Sequence, residues 1–254
     1  EQTRIAPLMS RVSSIAIDGP AASGKTTLGK LLARQLDYLY FDTGVMYRAV
    51  TLAALRRGVD LSDERAVVEV ANSIRIDVVP PTVDDGRPAT VYLDGEDVTW
   101  QLRSADIDSS VSIPSAYPGV RAAMTRQQRR IAERGRVVMV GRDIGTVVLP
   151  DADLKIYLDA PVEVRALRRW RDYQSEGQEK SYQEVLDAMR ARDKLDSQRA
   201  VAPLRPAEDA EVIDTAQANA QDVLQQVLDL IARRDSGGRG PSADGAGGNP
   251  CSES

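Results

Sequence analysis

Histidine is missing from all 254 residues. That absence rules out Ser-His-Asp hydrolysis, phosphohistidine chemistry and His-ligated zinc. Cysteine is nearly missing: Cys251 stands alone in a Gly/Ser-rich tail, so disulfide frameworks, Cys₄ zinc sites and a buried catalytic thiol are excluded as well. No apolar run approaches the ~18 residues of a membrane span. No signal-peptide pattern is present, and a cytoplasmic location is expected. Excess basic charge is lacking too, since 33 Lys and Arg against 38 Asp and Glu leave a net charge of −5, which argues against nucleic acid as the main partner. The remainder is ordinary for a soluble globular protein, 42% hydrophobic and 28% charged, and long enough for one large domain or two modest ones. Its chemistry must therefore rest on Lys, Arg, Asp, hydroxyls, backbone groups and a metal.

One stretch organises the chain: Gly19-Pro20-Ala21-Ala22-Ser23-Gly24-Lys25-Thr26, a G-x-x-x-x-G-K-[ST] phosphate loop followed by Thr27. A β-rich run, Val12 to Ile17, precedes it, and Leu28, Leu31, Leu32 and Leu36 follow at helical spacing. In that setting the backbone N–H groups at a helix N-terminus wrap the phosphates of ATP, Lys25 reaches the β- and γ-phosphates, and the Thr26 hydroxyl ligates Mg²⁺.

Further along, Tyr38 to Phe41 reads as a second strand, and Asp42-Thr43-Gly44 opens a helix that Gly58 closes. Strand, crossover helix and strand imply a parallel sheet with the site at its C-terminal edge. Residues 63–73 read as a short helix. Ile74 to Val79 and Ala89 to Leu93, with turns at Asp84-Asp85-Gly86 and Asp94-Gly95, read as a small antiparallel insert. Helical texture from Ala105 breaks at Pro114 and Pro118, and a long helix then runs to Arg134. Val137 to Val140 reads as a strand buried on both faces. Further strands are expected at Leu154 to Leu158 and Glu211 to Ile213. Helices are expected around Arg165, Arg168 and Arg169, from the polar gap Ser175–Lys180 to about Arg199, and over 219–233. Residues 1–11 read as an extension and 236–254 as a disordered tail, leaving 12–235 as the folded domain.

The N-K-x-D and D-x-x-G patterns of a GTPase do not occur where they should. Arginines spaced along the second half suit a second phosphate-bearing substrate instead. With the motifs Ile17 to Ala21 (I-D-G-P-A), Asp42 to Arg48 (D-T-G-x-M-Y-R), Leu93 to Thr99, Gly141 to Val148 (G-R-D-I-G-T-V-V) and Arg199 to Leu204 in this order, the chain resembles the bacterial cytidylate kinases from about Ser14 to Arg233. The resemblance implies an α/β P-loop kinase with a five-stranded parallel sheet flanked by helices. It also implies a β-rich insert in the monophosphate-binding region (about 60–112) and a helical lid (about 165–183). It implies transfer of the γ-phosphate of ATP to CMP, and to dCMP, by direct in-line transfer with Mg²⁺. Small-molecule nucleotides are then the partners, with no nucleic acid and no membrane, and a monomer is expected.

By the same resemblance Thr43, Arg48, Arg142 and Arg199 hold the CMP phosphate, Ser112, Arg121 and Asp143 the base, and Arg192 and Asp196 the sugar. Lys25, Arg142, Arg165 and Arg168 form the catalytic set, and Arg165, Arg168 and Arg169 belong to a lid that excludes water. The plainer alternatives are a solvated surface role for each arginine and an i,i+4 salt bridge for Arg192 and Asp196. Tyr47 reads as core packing. Asp18 and Asp42 are both candidates to hold the metal through water. Ala22 stands where the family commonly has Gly, Val45 replaces the usual Ala, and Val140 precedes Gly141 where an acidic or small residue is common. If position 22 needs a positive φ, alanine costs about 1–2 kcal/mol there. The rival readings are a P-loop kinase for another acceptor, UMP or shikimate, and a nucleotide-binding switch without turnover.

Overall fold

Short β-branched runs and amphipathic helices alternate along a computed structural model that describes residues 11–199 and 201–236. Nearly all of the expected extension, Ala200, and the tail 237–254 with Cys251 lie outside the described residues. The chain opens with β1 (Ser14–Asp18), α1 (Lys25–Leu36), β2 (Leu39–Asp42) and α2 (Gly44–Arg56). Next come α3 (Glu64–Ser73) and three short strands, β3 (Ile76–Val79), β4 (Thr90–Leu93) and β5 (Glu96–Asp97). A 3-10 turn at Gln101–Arg103 leads to α4 (Ala105–Ser110), α5 (Ser112–Ala116) and α6 (Pro118–Ala132). β6 (Val137–Val140), a π-helix at Ile144–Val148 and β7 (Leu154–Asp159) follow. The chain then runs through α7 (Val162–Ser175), α8 (Tyr182–Ser197), β8 (Glu211–Asp214) and α9 (Ala220–Ser236).

β2, β6, β1, β7 and β8 lie side by side in that order as one five-stranded sheet, every pair parallel. Side chains alternate between its faces, as a period of two requires. Ala16, Phe41, Val137 and Met139 enter one apolar cluster with α2, α3 and α6. Ile15, Ile17, Tyr40, Val138 and Val140 enter another with α1 and α9. A fully buried Ile or Phe in such a layer contributes about 1.5–3 kcal/mol. Crossover helices on both faces leave the C-terminal ends of β1, β2, β6 and β7 free to carry the loops after Asp18, Asp42, Val140 and Asp159, where a doubly wound sheet binds its ligands.

The insert is antiparallel, β3–β4–β5, with Ile76 opposite Leu93 and Leu93 opposite Glu96. Its inner residues Ile76, Val78, Val91 and Leu93 share the cluster of α2, α3 and α6. Arg134 of the segment after α6 grips Asp77 at 2.7 and 2.8 Å. Two expectations need correction. Pro114 does not break a helix; it sits in the first turn of α5, where the missing N–H is no loss, and the break falls at Val111. α8 ends at Ser197, short of the expected end near Arg199, so Arg199 reaches Asp196 from the chain beyond the helix. Among the described residues no helix is long and apolar enough to cross a membrane.

Candidate active site

The phosphate loop turns sharply because two of its glycines adopt conformations closed to other residues. Gly19 has φ 144°, and an added Cβ would lie 2.2 Å from the Leu158 carbonyl oxygen, while Gly24, at φ 97°, starts α1. Ala22 also has a positive φ, 58°, so the strain raised by its identity is present. Lys25 is buried and its Nζ donates to the Pro20 carbonyl at 2.5 Å. Burial pushes the Lys25 ammonium well below its ordinary pKa and Arg142 adds to the effect, with Asp42 and Asp18 opposing it. An anionic ligand in the loop would relieve that penalty. Thr26 and Thr27 are exposed on the first turn of α1.

Asp18 and Asp42 part company. Both carboxylate oxygens of Asp18 are taken, Oδ1 by the N–H of Ile144 at 2.8 Å and Oδ2 by that of Gly145 at 2.7 Å. Burial raises its pKa to about 6, against the pull of those two N–H groups, with Asp143 adding to the rise. Among the described residues Asp42 uses only Oδ1, on the Gly44 N–H at 2.9 Å. Thr26 Oγ1 and Asp42 Oδ2 are oxygen donors of the kind that a hard divalent cation takes alongside phosphate oxygens and water. No group of three or more His, Cys, Asp and Glu able to hold a metal without substrate exists among the described residues.

Across from the loop, Asp196 gathers two arginines: Arg142 Nε at 3.0 Å on Oδ2 and Arg199 Nη2 at 2.6 Å on Oδ1. Arg192 does not pair with Asp196 at i,i+4; it is exposed on α8, and desolvation by its surroundings and the neighbouring Arg142 both lower its pKa. Lys25 feels the charge of both Arg142 and Arg192, and Arg192 feels that of Arg142 and Arg199, so these basic groups are electrostatic neighbours. The Arg199 Nε is buried without a hydrogen-bond partner among the described residues. Thr43 lies at the edge of this group, its hydroxyl donating to Val140 O at 3.1 Å. A Cβ on Gly141 would strike that hydroxyl at 2.7 Å, which explains a glycine there. Arg48 donates to Leu102 O at 3.2 Å and pairs with Asp108 of α4.

Arg121 and Asp143 form a buried ion pair, Nη2 to Oδ2 at 2.7 Å, with side chains 7% and 10% exposed. The Tyr47 ring lies 5.6 Å below the guanidinium and is itself packed against the core, so Tyr47 combines packing with support of the pair. Arg121 Nε is buried without a partner, and Asp143 Oδ1 accepts no hydrogen bond from the described residues. Ser112 begins α5 and is exposed, and no hydrogen bond joins its side chain to Arg121 or Asp143.

The arginines of α7 separate. Arg165 is buried against the loop, donating to Ala160 O at 2.8 Å and Ala21 O at 3.2 Å and pairing with Asp193 of α8 at 2.6 Å. Arg168 turns to Thr215 and lines a recess of about 200 Å³ with Leu28, Leu158, Ala218 and Val223. Arg169 is exposed and lies 4.5 Å from the Tyr173 ring. Sequence reasoning missed Asp108, Asp193 and Thr215, each the partner of an expected arginine. None lies in a motif, and only spatial proximity reveals them.

The chain matches the family model described as cytidylate kinase over residues 15–233. It is 50% identical over 223 residues to a cytidylate kinase of Herpetosiphon aurantiacus, covering 88% of this chain and 96% of that one. It is 44% identical over 226 residues to a cytidylate kinase of Bacillus subtilis, covering 89% and 99%. Among solved structures, a shikimate kinase from Acinetobacter baumannii in complex with shikimate covers 91% of this chain and 97% of its own at 19% identity, with a TM-score of 0.42, too distant to say anything about substrate.

Proposed function

The chain belongs to the cytidylate kinase family and is an ATP-dependent kinase of CMP, and we propose that its cleft holds both nucleotides at once and passes the phosphoryl group directly between them. In that step an oxygen of the CMP phosphate attacks the γ-phosphorus, the bond from that phosphorus to the β–γ bridging oxygen breaks, and ADP and CDP result. A phosphate oxygen is already a nucleophile, so the residues supply position and charge rather than a base. That agrees with a chain rich in arginine and devoid of histidine.

Residues Gly19 to Thr27 wrap the ATP phosphates, with Lys25 on the transferring group and Arg165 closing the loop from α7. The recess beside Arg168, apolar on Leu28, Leu158 and Val223, takes the adenine. Thr43, Arg48, Arg142 and Arg199 take the CMP phosphate, and Arg192 and Asp196 its sugar. Thr26 and Asp42 would hold Mg²⁺, which would supply charge neutralisation for the phosphates. A cytoplasmic location and a monomeric state complete the reading.

The observation that carries the choice of base is the buried Arg121–Asp143 pair, whose guanidinium Nε–H and second carboxylate oxygen are unspent among the described residues. Cytosine offers an N4 amino donor beside N3 and O2 acceptors, which match a carboxylate and a guanidinium. Uracil reverses the polarity at position 4 and N3 and would leave buried polar groups unpaired. Exposed Ser112 joins the base only if α5 moves inward. The test is ADP release from ATP and Mg²⁺ with CMP, dCMP, UMP, AMP, shikimate or no acceptor. Release that depends on CMP and dCMP is expected. Release without acceptor, or none at all, overturns the kinase reading, and preference for UMP overturns the role of Asp143.

A further inference from the structure

The segment that carries Asp143 is held at both ends by charged side chains that the reaction does not otherwise use. Immediately after Asp143 the backbone forms a π-helix, a wide turn that is rare and needs outside support. Its carbonyl at Asp143 accepts from the N–H groups of Val147 and Val148 at 2.9 and 3.1 Å. Its first two N–H groups, those of Ile144 and Gly145, are satisfied by the two oxygens of Asp18 at 2.8 and 2.7 Å. Its last carbonyls are satisfied by Arg129, whose Nε donates to Val148 O at 2.9 Å and Nη2 to Val147 O at 2.6 Å. Arg129 stands on α6 two turns after Arg121, the partner of Asp143, so one helix fixes the side chain of Asp143 and the far end of the turn behind it. Space is short as well: a Cβ on Gly145 would come within 3.2 Å of the Lys155 side chain and 3.5 Å of Asp18 Oδ2.

Asp18 is the last residue of β1, directly before Gly19 of the phosphate loop. It is 4% exposed, and taking a carboxylate into that position is costly unless something is gained. We propose that Asp18 is a positioning residue for base selection: its carboxylate locks the π-helix, and with it Asp143, in register with the phosphate loop, so that one rigid strand end sets both substrates. Arg129 completes the lock from the other end. The inference rests on Asp143 reading the base.

In Asp18→Asn the amide offers one acceptor oxygen to two N–H groups and turns an NH₂ toward the other. The π-helix loses a hydrogen bond at its start, and Asp143 moves relative to the loop. The expected result is a rise of about tenfold in KM for CMP, a KM for ATP changed by less than about threefold, and a fall of about tenfold in the CMP over UMP ratio of kcat/KM, each tenfold step being 1.4 kcal/mol. Arg129→Gln, at an exposed position that leaves the core untouched, should shift the same ratio in the same direction by about threefold, the smaller effect of a partly solvated contact. A folded Asp18→Asn variant with an unchanged CMP over UMP ratio, or one whose two KM values rise together, overturns the inference. If Asp18→Asn does not fold, an unchanged ratio in Arg129→Gln overturns it. Failure of the underlying reading shows separately, as a wild-type enzyme with no preference for CMP.

Discussion

Replacing Asp143 with asparagine keeps the shape of the base site and removes its charge. The pair with Arg121 is short, 2.7 Å, and both side chains are nearly dry at 7% and 10% exposure. A hydrogen bond between two charged groups is worth roughly twice one with a neutral partner, so losing the carboxylate charge should cost about 1–2 kcal/mol of stability. For a domain of this size that is a fall in Tm of about 2–8 °C. The catalytic effect should be larger and selective. Asparagine can turn either its oxygen or its NH₂ to the base, so it tolerates the 4-oxygen of uracil as well as the 4-amino group of cytosine. Loss of one charged hydrogen bond to CMP lowers its kcat/KM by about 10–100-fold, whereas UMP should lose less or gain. KM for ATP should stay within about threefold, because no contact of Asp143 reaches the phosphate loop except through Asp18. Steady-state ADP release with each monophosphate reads these quantities, and thermal unfolding reads the stability. Equal losses for CMP and UMP, or a tenfold loss for ATP, would refute base reading by Asp143 and leave it a structural residue.

Ala22→Gly should raise Tm by up to about 6 °C, since relief of a left-handed alanine at φ 58° gains about 1–2 kcal/mol and the added freedom of the unfolded glycine returns about 0.4–1 kcal/mol; a fall in Tm contradicts this. Asp18, with its pKa raised from 3.8 to about 6, binds its proton more tightly folded than unfolded, so the ionised form costs stability above pH 6, on the order of 3 kcal/mol, and the cost fades as pH falls toward 4. Urea unfolding of wild type and Asp18→Asn at pH 7 and pH 4.5 should therefore show wild type gaining relative to the variant at the lower pH, and a difference independent of pH removes the argument. Asp196→Asn frees Arg142 and Arg199 from their shared carboxylate and should raise KM for CMP about tenfold with KM for ATP nearly unchanged; a change confined to ATP would place the cluster on the wrong nucleotide.

How far the sequence could be read depended on the range of the interaction involved. The phosphate loop was legible because its glycines are required by local backbone geometry, as Gly19 and Gly24 confirm. The continuous apolar run Val137 to Val140 was legible because a parallel strand between two helical layers buries every residue. The helix expected to reach about Arg199 stops at Ser197, because helical texture continues on paper past the true end of α8. The π-helix after Asp143 left no periodic trace in Ile144 to Val148, because it is made by Asp18 and Arg129 from distant parts of the chain. The same limit hid Asp108 and Asp193. An arginine's type says that it wants an anion, but only the packed structure says which anion is its neighbour: Arg165 has Asp193, and Arg121 has Asp143 while its Nε–H stays without a partner among the described residues.

The central claim is that two nucleotides share one cleft and exchange a phosphoryl group without passing it to the protein. Initial rates measured over a grid of ATP and CMP concentrations test that directly. Double-reciprocal lines that intersect are expected, because both substrates must be bound before transfer. Parallel lines would reveal a phosphorylated enzyme intermediate and would contradict the account.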